Sequence, residues 1–114
     1  RDLQRRDATF ARGKSFDTFC PIGPALLVDP DLEALTVQTR VNGEVKQQGS
    51  VSEMIWSITE LRVYASRMMT LEAGDVVLTG TPEGVGPLAP GDRLEVEVSG
   101  VGSLENRVEA LRQP

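Results

Sequence analysis

Hydrophobic positions along this chain follow two different periods. From Val51 to Met69, the residues Met54, Ile58, Leu61, Ala65 and Met68 recur every three or four positions, which on a helix makes one apolar stripe turned toward a core. Ser50 and Glu53 stand three apart just ahead of the stripe. In a capping box at that spacing each side chain meets the other residue's backbone N–H, so a helix is expected to begin there and run to about Met69. Trp56 and Tyr64 flank the stripe, and its methionines read as core filling. Elsewhere the period is two. Leu35, Val37, Thr39 and Val41 alternate with polar residues, Asn42-Gly43 follows, and a second run covers Val45 to Gln48. This predicts a hairpin closed by a type I′ turn. Further strands are expected at Ala25 to Val28, Val76 to Thr79, Leu94 to Val98 and Leu104 to Leu111, with Gly100-Val101-Gly102 turning between the last two.

One main helix and five or six strands, without a repeating strand–helix–strand series, predict a mostly β, mainly antiparallel fold with the helix against it. The same pattern argues against a doubly wound nucleotide-binding fold. Residues 1–12 hold one short helical possibility. The stretch Gly13 to Val28, with Phe16, Phe19, Pro21, Gly23 and Pro24, reads as irregular before its short strand. At 114 residues the chain is a single domain with little core to spare.

Composition and charge narrow the function. The net charge of −5 opposes a nucleic-acid surface, which needs clustered excess Lys and Arg. The local exception, Arg1, Arg5, Arg6, Arg12 and Lys14, suits a small anion better than a polymer. No apolar run approaches the roughly 20 residues of a membrane-spanning helix, so no membrane partner is expected. The charged start lacks the apolar stretch of a signal peptide, and a single cysteine, Cys20, allows no internal disulfide; a cytoplasmic location is the expectation. The chain has no histidine. That removes a Ser-His-Asp triad, a Cys-His pair and any His-containing zinc site from within it, leaving lysine, carboxylates or groups outside the chain to carry chemistry.

Thr79 to Gly86 reads TGTPEGVG behind the apolar Val76-Val77-Leu78. Glycine permits the backbone angles that turn successive N–H groups toward one point, and Pro82 stiffens the chain just after Thr79-Gly80-Thr81. With the Thr81 hydroxyl, such a loop suits a carboxylate or oxyanion. Lys14 follows Gly13 and leads into Ser15-Phe16, an apolar, tight context in which an ammonium is expected to lose water. Arg1 and Gln4, three apart, would share a helix face and could grip one ligand. Glu95 and Glu97 look like a metal pair, but alternation places them opposite Leu94, Val96 and Val98, on the solvent side of a strand. Asn106 alternates with Leu104 and Val108, so its amide is expected to tie down a neighbouring loop.

Together these segments resemble the fumarylacetoacetate hydrolase family. The likeness runs through RDLQ (Arg1 to Gln4), GKSFDTFCPIGP (Gly13 to Pro24), RVNGEVKQ (Arg40 to Gln47), MTLEAGDVVLTGTPEGVG (Met69 to Gly86), PGD (Pro90 to Asp92) and GVGSLEN (Gly100 to Asn106). The resemblance implies the family's β-roll or mixed β-sandwich, a homodimer, and Mg²⁺- or Mn²⁺-dependent action on 2-oxo or 2,4-diketo acids. It makes Lys14 the active-site lysine, Arg1 and Gln4 ligands for substrate oxygens, and Gly80 with Thr81 the loop holding the substrate's carboxylate.

The departures from the family's pattern carry equal weight. In relatives the arginine follows an aspartate that binds metal, a Glu-x-Glu pair lies further upstream, and hydrolytic members add a glutamate–histidine pair that activates water. Here the sequence starts at the arginine. The implied metal ligands are therefore expected upstream of Arg1 and none within residues 1–114, and the 114 residues alone are expected to be inactive. C–C bond hydrolysis of the fumarylacetoacetate or acylpyruvate type is the leading implication, isomerisation or decarboxylation of 2-hydroxy-diene-dioates the alternative. A reading of another class is a non-catalytic binding or dimerisation module that has kept the scaffold.

Overall fold

A computed structural model describes residues 1–110. Its centre is a four-stranded antiparallel sheet, formed by β1 (Thr36–Val41), β2 (Glu44–Ser50), β3 (Arg93–Val98) and β4 (Gly102–Arg107) in the order β2-β1-β3-β4. Asn42 and Gly43 at the β1–β2 turn have φ of 53° and 84°, the two left-handed residues that a type I′ turn requires. In the ladder Val37 lies opposite Val98, Thr39 opposite Val96 and Val41 opposite Leu94, while Val96 is also opposite Leu104. Side chains alternate along a strand, so this register gathers the branched residues on one face. Arg40, Gln38, Glu95 and Glu97 fall on the other.

The Glu-x-Glu pair is engaged on that polar face. Arg40 Nη1 lies 2.9 Å from Glu97 and 3.9 Å from Glu95; Glu97 is exposed as expected and Glu95 is half-buried. Strand β2 carries an irregularity where Thr39 pairs with Gln47 but Arg40 pairs with Val45. Lys46 is the residue left over, a β-bulge.

Two helical segments replace the single one expected from Val51 to Met69. Ser50 and Glu53 do form a capping box, but on a 3-10 turn, Val51–Glu53, that ends at an extended Met54. A second capping box, Ser57 with Glu60, starts helix α3 (Ile58–Met68). The Ser57 hydroxyl accepts from the Glu60 N–H at 3.2 Å, and the Glu60 carboxylate accepts from the Ser57 N–H at 2.8 Å. The serine hydroxyl first, and the backbone N–H second, hold the Glu60 carboxyl below its ordinary pKa. The helical path is broken at the extended Met54 and resumes only after Ser57, a cap residue that is itself extended. Ile58, Leu61 and Ala65 are half-buried along the stripe, whereas Met68 is exposed.

The strands expected at Ala25 to Val28 and Val76 to Thr79 do not form. Neither segment joins a ladder, and Leu26, Val28 and Leu78 are 90%, 80% and 72% exposed. A strand needs a neighbour to hydrogen-bond, and local apolar content supplies none. The last strand ends at Arg107; beyond it Val108 exchanges backbone hydrogen bonds with Gly91 and Asp92, and the expected end at Leu111 lies outside the described residues. Asn106 is half-buried but holds no loop through its side chain among the described residues. Asn42 does that work instead, linking to Asp92 and Arg93.

No side chain among the described residues is fully buried. The accessible surface is 9667 Å², against roughly 6,100 Å² for a compact monomer of this size. The radius of gyration, 15.6 Å, likewise exceeds the roughly 13 Å of a compact chain. Phe10, Phe16, Phe19, Ile22, Ile55 and Trp56 stand among the exposed apolar residues.

Candidate active site

Helix α1 (Asp2–Arg6) carries Gln4, and α2 (Ala11–Lys14) ends on Lys14. The segment between them is closed by a two-pronged ion pair, with Arg12 Nε and Nη2 at 2.9 and 3.0 Å from the carboxylate oxygens of Asp7. This fork geometry fixes direction as well as distance. The two helices meet at Gly13, where a β-carbon would fall 2.9 Å from Gln4 Cγ. Glycine there lets the Gln4 side chain cross the backbone directly beside Lys14.

Lys14 is placed differently from the sequence expectation. It sits on the last turn of a helix that sequence reasoning missed, exposed, with its Nζ 5.9 Å from the Phe10 ring centre. The tight apolar enclosure is therefore absent among the described residues. A cation over an aromatic face gains modest electrostatic attraction. Phe16 and Phe19, 5.3 Å apart between ring centres, continue the aromatic surface. Arg1 is the N-cap residue of α1 and is exposed.

The second part of the site is the Gly80-Thr81 loop. Gly80 and Gly84 have φ of 105° and 97°, the region that favours glycine. The loop rests on β2. Gln47 Nε2 donates to Thr81 Oγ1 at 2.7 Å and to the Pro82 carbonyl at 2.8 Å. Pro82 packs over Gly49, where a β-carbon would lie 3.1 Å from Pro82 Cγ, and Gly84 comes so close to the Lys46 carbonyl that a β-carbon would overlap it. The bulge at Lys46 is thus the point at which the loop backbone touches the sheet. Upstream, the Asp75 carboxylate accepts the Glu72 N–H at 2.8 Å and shapes the turn leading in.

The structure thus brings Gln4 to Gly13-Lys14, and Gly80-Thr81 to Gln47. No hydrogen bond joins these two groups among the described residues. Sequence reasoning missed Gln47 as a partner of Thr81. The ladder supplies what the sequence does not: Gln47 is a polar residue whose register partner, Thr39, belongs to the apolar face.

The family model for the C-terminal region of fumarylacetoacetate hydrolase matches residues 1–109. The chain belongs to the fumarylacetoacetate hydrolase family. It is 48% identical to the oxaloacetate tautomerase YisK of Bacillus subtilis, over 95% of this chain and 39% of that protein. Among solved structures, 5-carboxymethyl-2-hydroxymuconate delta-isomerase from Mycobacterium smegmatis superposes with a TM-score of 0.94 at 44% identity, covering 98% of this chain and 45% of that one. Maleylpyruvate hydrolase from Sphingobium sp. SYK-6, in complex with manganese(II) and pyruvate, gives a TM-score of 0.79 at 36% identity, over 82% of this chain and 37% of that one. These relatives are enzymes, and the antiparallel sheet with short helices agrees with their shared fold. The chain spans less than half the length of each.

A divalent ion is bound in one of these relatives. Among the described residues no three His, Cys, Asp or Glu side chains gather closely enough to hold a metal ion. Hard cations require several oxygen ligands, and the described residues do not gather that set. Nor is any helix among the described residues long and apolar enough to cross a membrane.

Proposed function

We propose that this chain forms the substrate-carboxylate side of an enzyme that enolises a small 2-oxo acid, with keto–enol interconversion of an oxaloacetate-like diacid as its reaction. The observation that carries this reading is the 48% identity to an oxaloacetate tautomerase across nearly the whole chain. The C3 proton of a 2-oxo acid is acidic because the charge left behind moves onto the ketone oxygen. A cation beside that oxygen favours the enolate over the neutral ketone, and so acts on the transition state more than on the ground state.

In this reading the Lys14 ammonium faces the enolate oxygen. Arg1 and Gln4 grip substrate oxygens, and the Gly80 N–H with the Thr81 hydroxyl holds a carboxylate. Mg²⁺ or Mn²⁺ dependence belongs to the same proposal, with ligands from outside these 114 residues. So do the family's β-roll, a homodimer and a cytoplasmic location; the exposed apolar side chains of Phe16, Ile22 and Trp56 support a molecule that covers them by association.

C–C hydrolysis of acylpyruvates is a second reading, supported by the similarity to maleylpyruvate hydrolase. The test is to give the enzyme containing this chain oxaloacetate in its enol form and, separately, an acylpyruvate, both with Mn²⁺. Faster loss of enol absorbance without acylpyruvate cleavage is expected. Cleavage without enol turnover favours hydrolysis, and neither reaction, with no Mn²⁺ binding by calorimetry, favours a non-catalytic module.

A further inference from the structure

Gln47 lies outside every substrate contact named above, yet it is the side chain that touches Thr81. Its amide nitrogen reaches two oxygens, Thr81 Oγ1 at 2.7 Å and the Pro82 carbonyl at 2.8 Å. The two partners differ in kind. A carbonyl only accepts, whereas a hydroxyl can donate or accept. An amide's oxygen and nitrogen are told apart by the network around them, and here the Pro82 carbonyl settles which end faces the loop, because only the NH₂ end can satisfy it. With the NH₂ group so turned, Thr81 must accept from Gln47.

A hydroxyl that accepts from one neighbour keeps its single proton for another. We infer that Gln47 is a positioning residue for the reaction: by donating to Thr81 Oγ1 it directs the threonine proton toward the substrate carboxylate. Were the amide reversed, Thr81 would donate its proton to Gln47 and present only lone pairs to an anion. Two further contacts seat the loop on β2: Pro82 packs on Gly49, and Gly84 abuts the carbonyl of the bulged Lys46. Gln47 itself is half-buried. This inference rests on the reading of Thr81 as a carboxylate ligand.

The test is a double-substitution cycle in the whole enzyme containing this chain, with Gln47→Leu, Thr81→Val and the pair, reading KM and kcat for oxaloacetate. Thr81→Val is expected to raise KM roughly 10- to 100-fold, the scale of one hydrogen bond to a charged group. Gln47→Leu should raise KM nearly as much, and the double variant no more than Thr81→Val alone, with kcat changed far less than KM. Gln47→Glu provides a readout that a purely structural role would not move. At neutral pH its carboxylate accepts the hydrogen bond of the Thr81 hydroxyl and repels the substrate, so KM is high; as pH falls toward the carboxyl's pKa, KM should recover. If Thr81→Val leaves KM unchanged, the assignment of Thr81 fails and this inference with it. If Thr81→Val raises KM but Gln47→Leu does not, or the two effects simply multiply, or the Gln47→Glu KM does not respond to pH, the inference alone is overturned.

Discussion

The side-chain amide of Asn42 donates to the carboxylate of Asp92 at 2.8 Å, tying the tip of the first hairpin to the head of strand β3 fifty positions later. Asn42 Oδ1 also accepts the Arg93 N–H at 2.9 Å, and Asp92 accepts the Ala89 N–H at 2.7 Å. The turn residue that closes β1–β2 therefore also fixes where β3 begins, and β3 sets the register of the apolar face.

This junction makes stability depend on acid. The Ala89 N–H first, and the Asn42 amide second, hold the Asp92 carboxyl below its ordinary pKa. A carboxyl depressed in the folded state contributes fully above its unfolded value of about 4 and loses that contribution as pH falls through the lower folded value. Asp92→Asn is expected to lower Tm by a few degrees at pH 7 and to reduce the difference between wild type and variant as pH drops below about 4. Melting curves from pH 7 to pH 3 check this; a Tm gap that widens in acid would contradict it.

The Gly84–Lys46 approach predicts a sensitive backbone position. Gly84 has φ of 97°, and a β-carbon there would overlap the Lys46 carbonyl, so Gly84→Ala is strained both by conformation and by contact. Substrate KM should rise by about tenfold or more as the Gly80-Thr81 loop lifts from β2. Gly86→Ala, with nothing within 4 Å of its β-carbon, is the control and should leave KM within about twofold. Steady-state kinetics on the two variants decide between loop seating and a general effect of losing glycine.

Lys14→Met removes the cation assigned to the enolate oxygen. An electrostatic donor of this kind is worth roughly 10²- to 10³-fold in kcat, with KM changing less. Circular dichroism should be unchanged, because Lys14 is exposed and its contact in the structure is the Phe10 ring. A variant that keeps full kcat would remove Lys14 from the chemistry.

The absence of any fully buried side chain among the described residues predicts how these 114 residues behave alone. Without a core, unfolding lacks its main cooperative term. The isolated polypeptide is expected to give a broad thermal transition, to bind ANS and to associate, because roughly 3,500 Å² more surface is accessible than a compact monomer exposes. A sharp two-state transition from a monomer would contradict this.

How much of this was legible in the sequence depends on whether the deciding contact is local. The type I′ turn at Asn42-Gly43 and the β1–β2 hairpin were readable because turn chemistry and alternation lie within a dozen residues of each other. The helix was readable, though the second capping box, Ser57 with Glu60, moved its start by seven residues; its spacing is as visible as that of Ser50 with Glu53. Val76 to Leu78 has a strand's composition but no partner, and pairing is a property of the neighbour. Lys14 and Thr81 were visible as chemistry, whereas Gln47 became visible only when the ladder placed it beneath the loop. The bulge at Lys46, which receives Gly84, has no sequence signature of its own.

The central claim is that Lys14 and the Gly80-Thr81 bend serve one small acid. A crystal structure of the enzyme containing this chain, soaked with pyruvate and Mn²⁺, tests it most directly. Lys14 Nζ and Thr81 Oγ1 are expected to lie each within about 3 Å of oxygens of the same bound molecule. A pyruvate held without either group, or the two groups on opposite sides of the protein, would contradict the account.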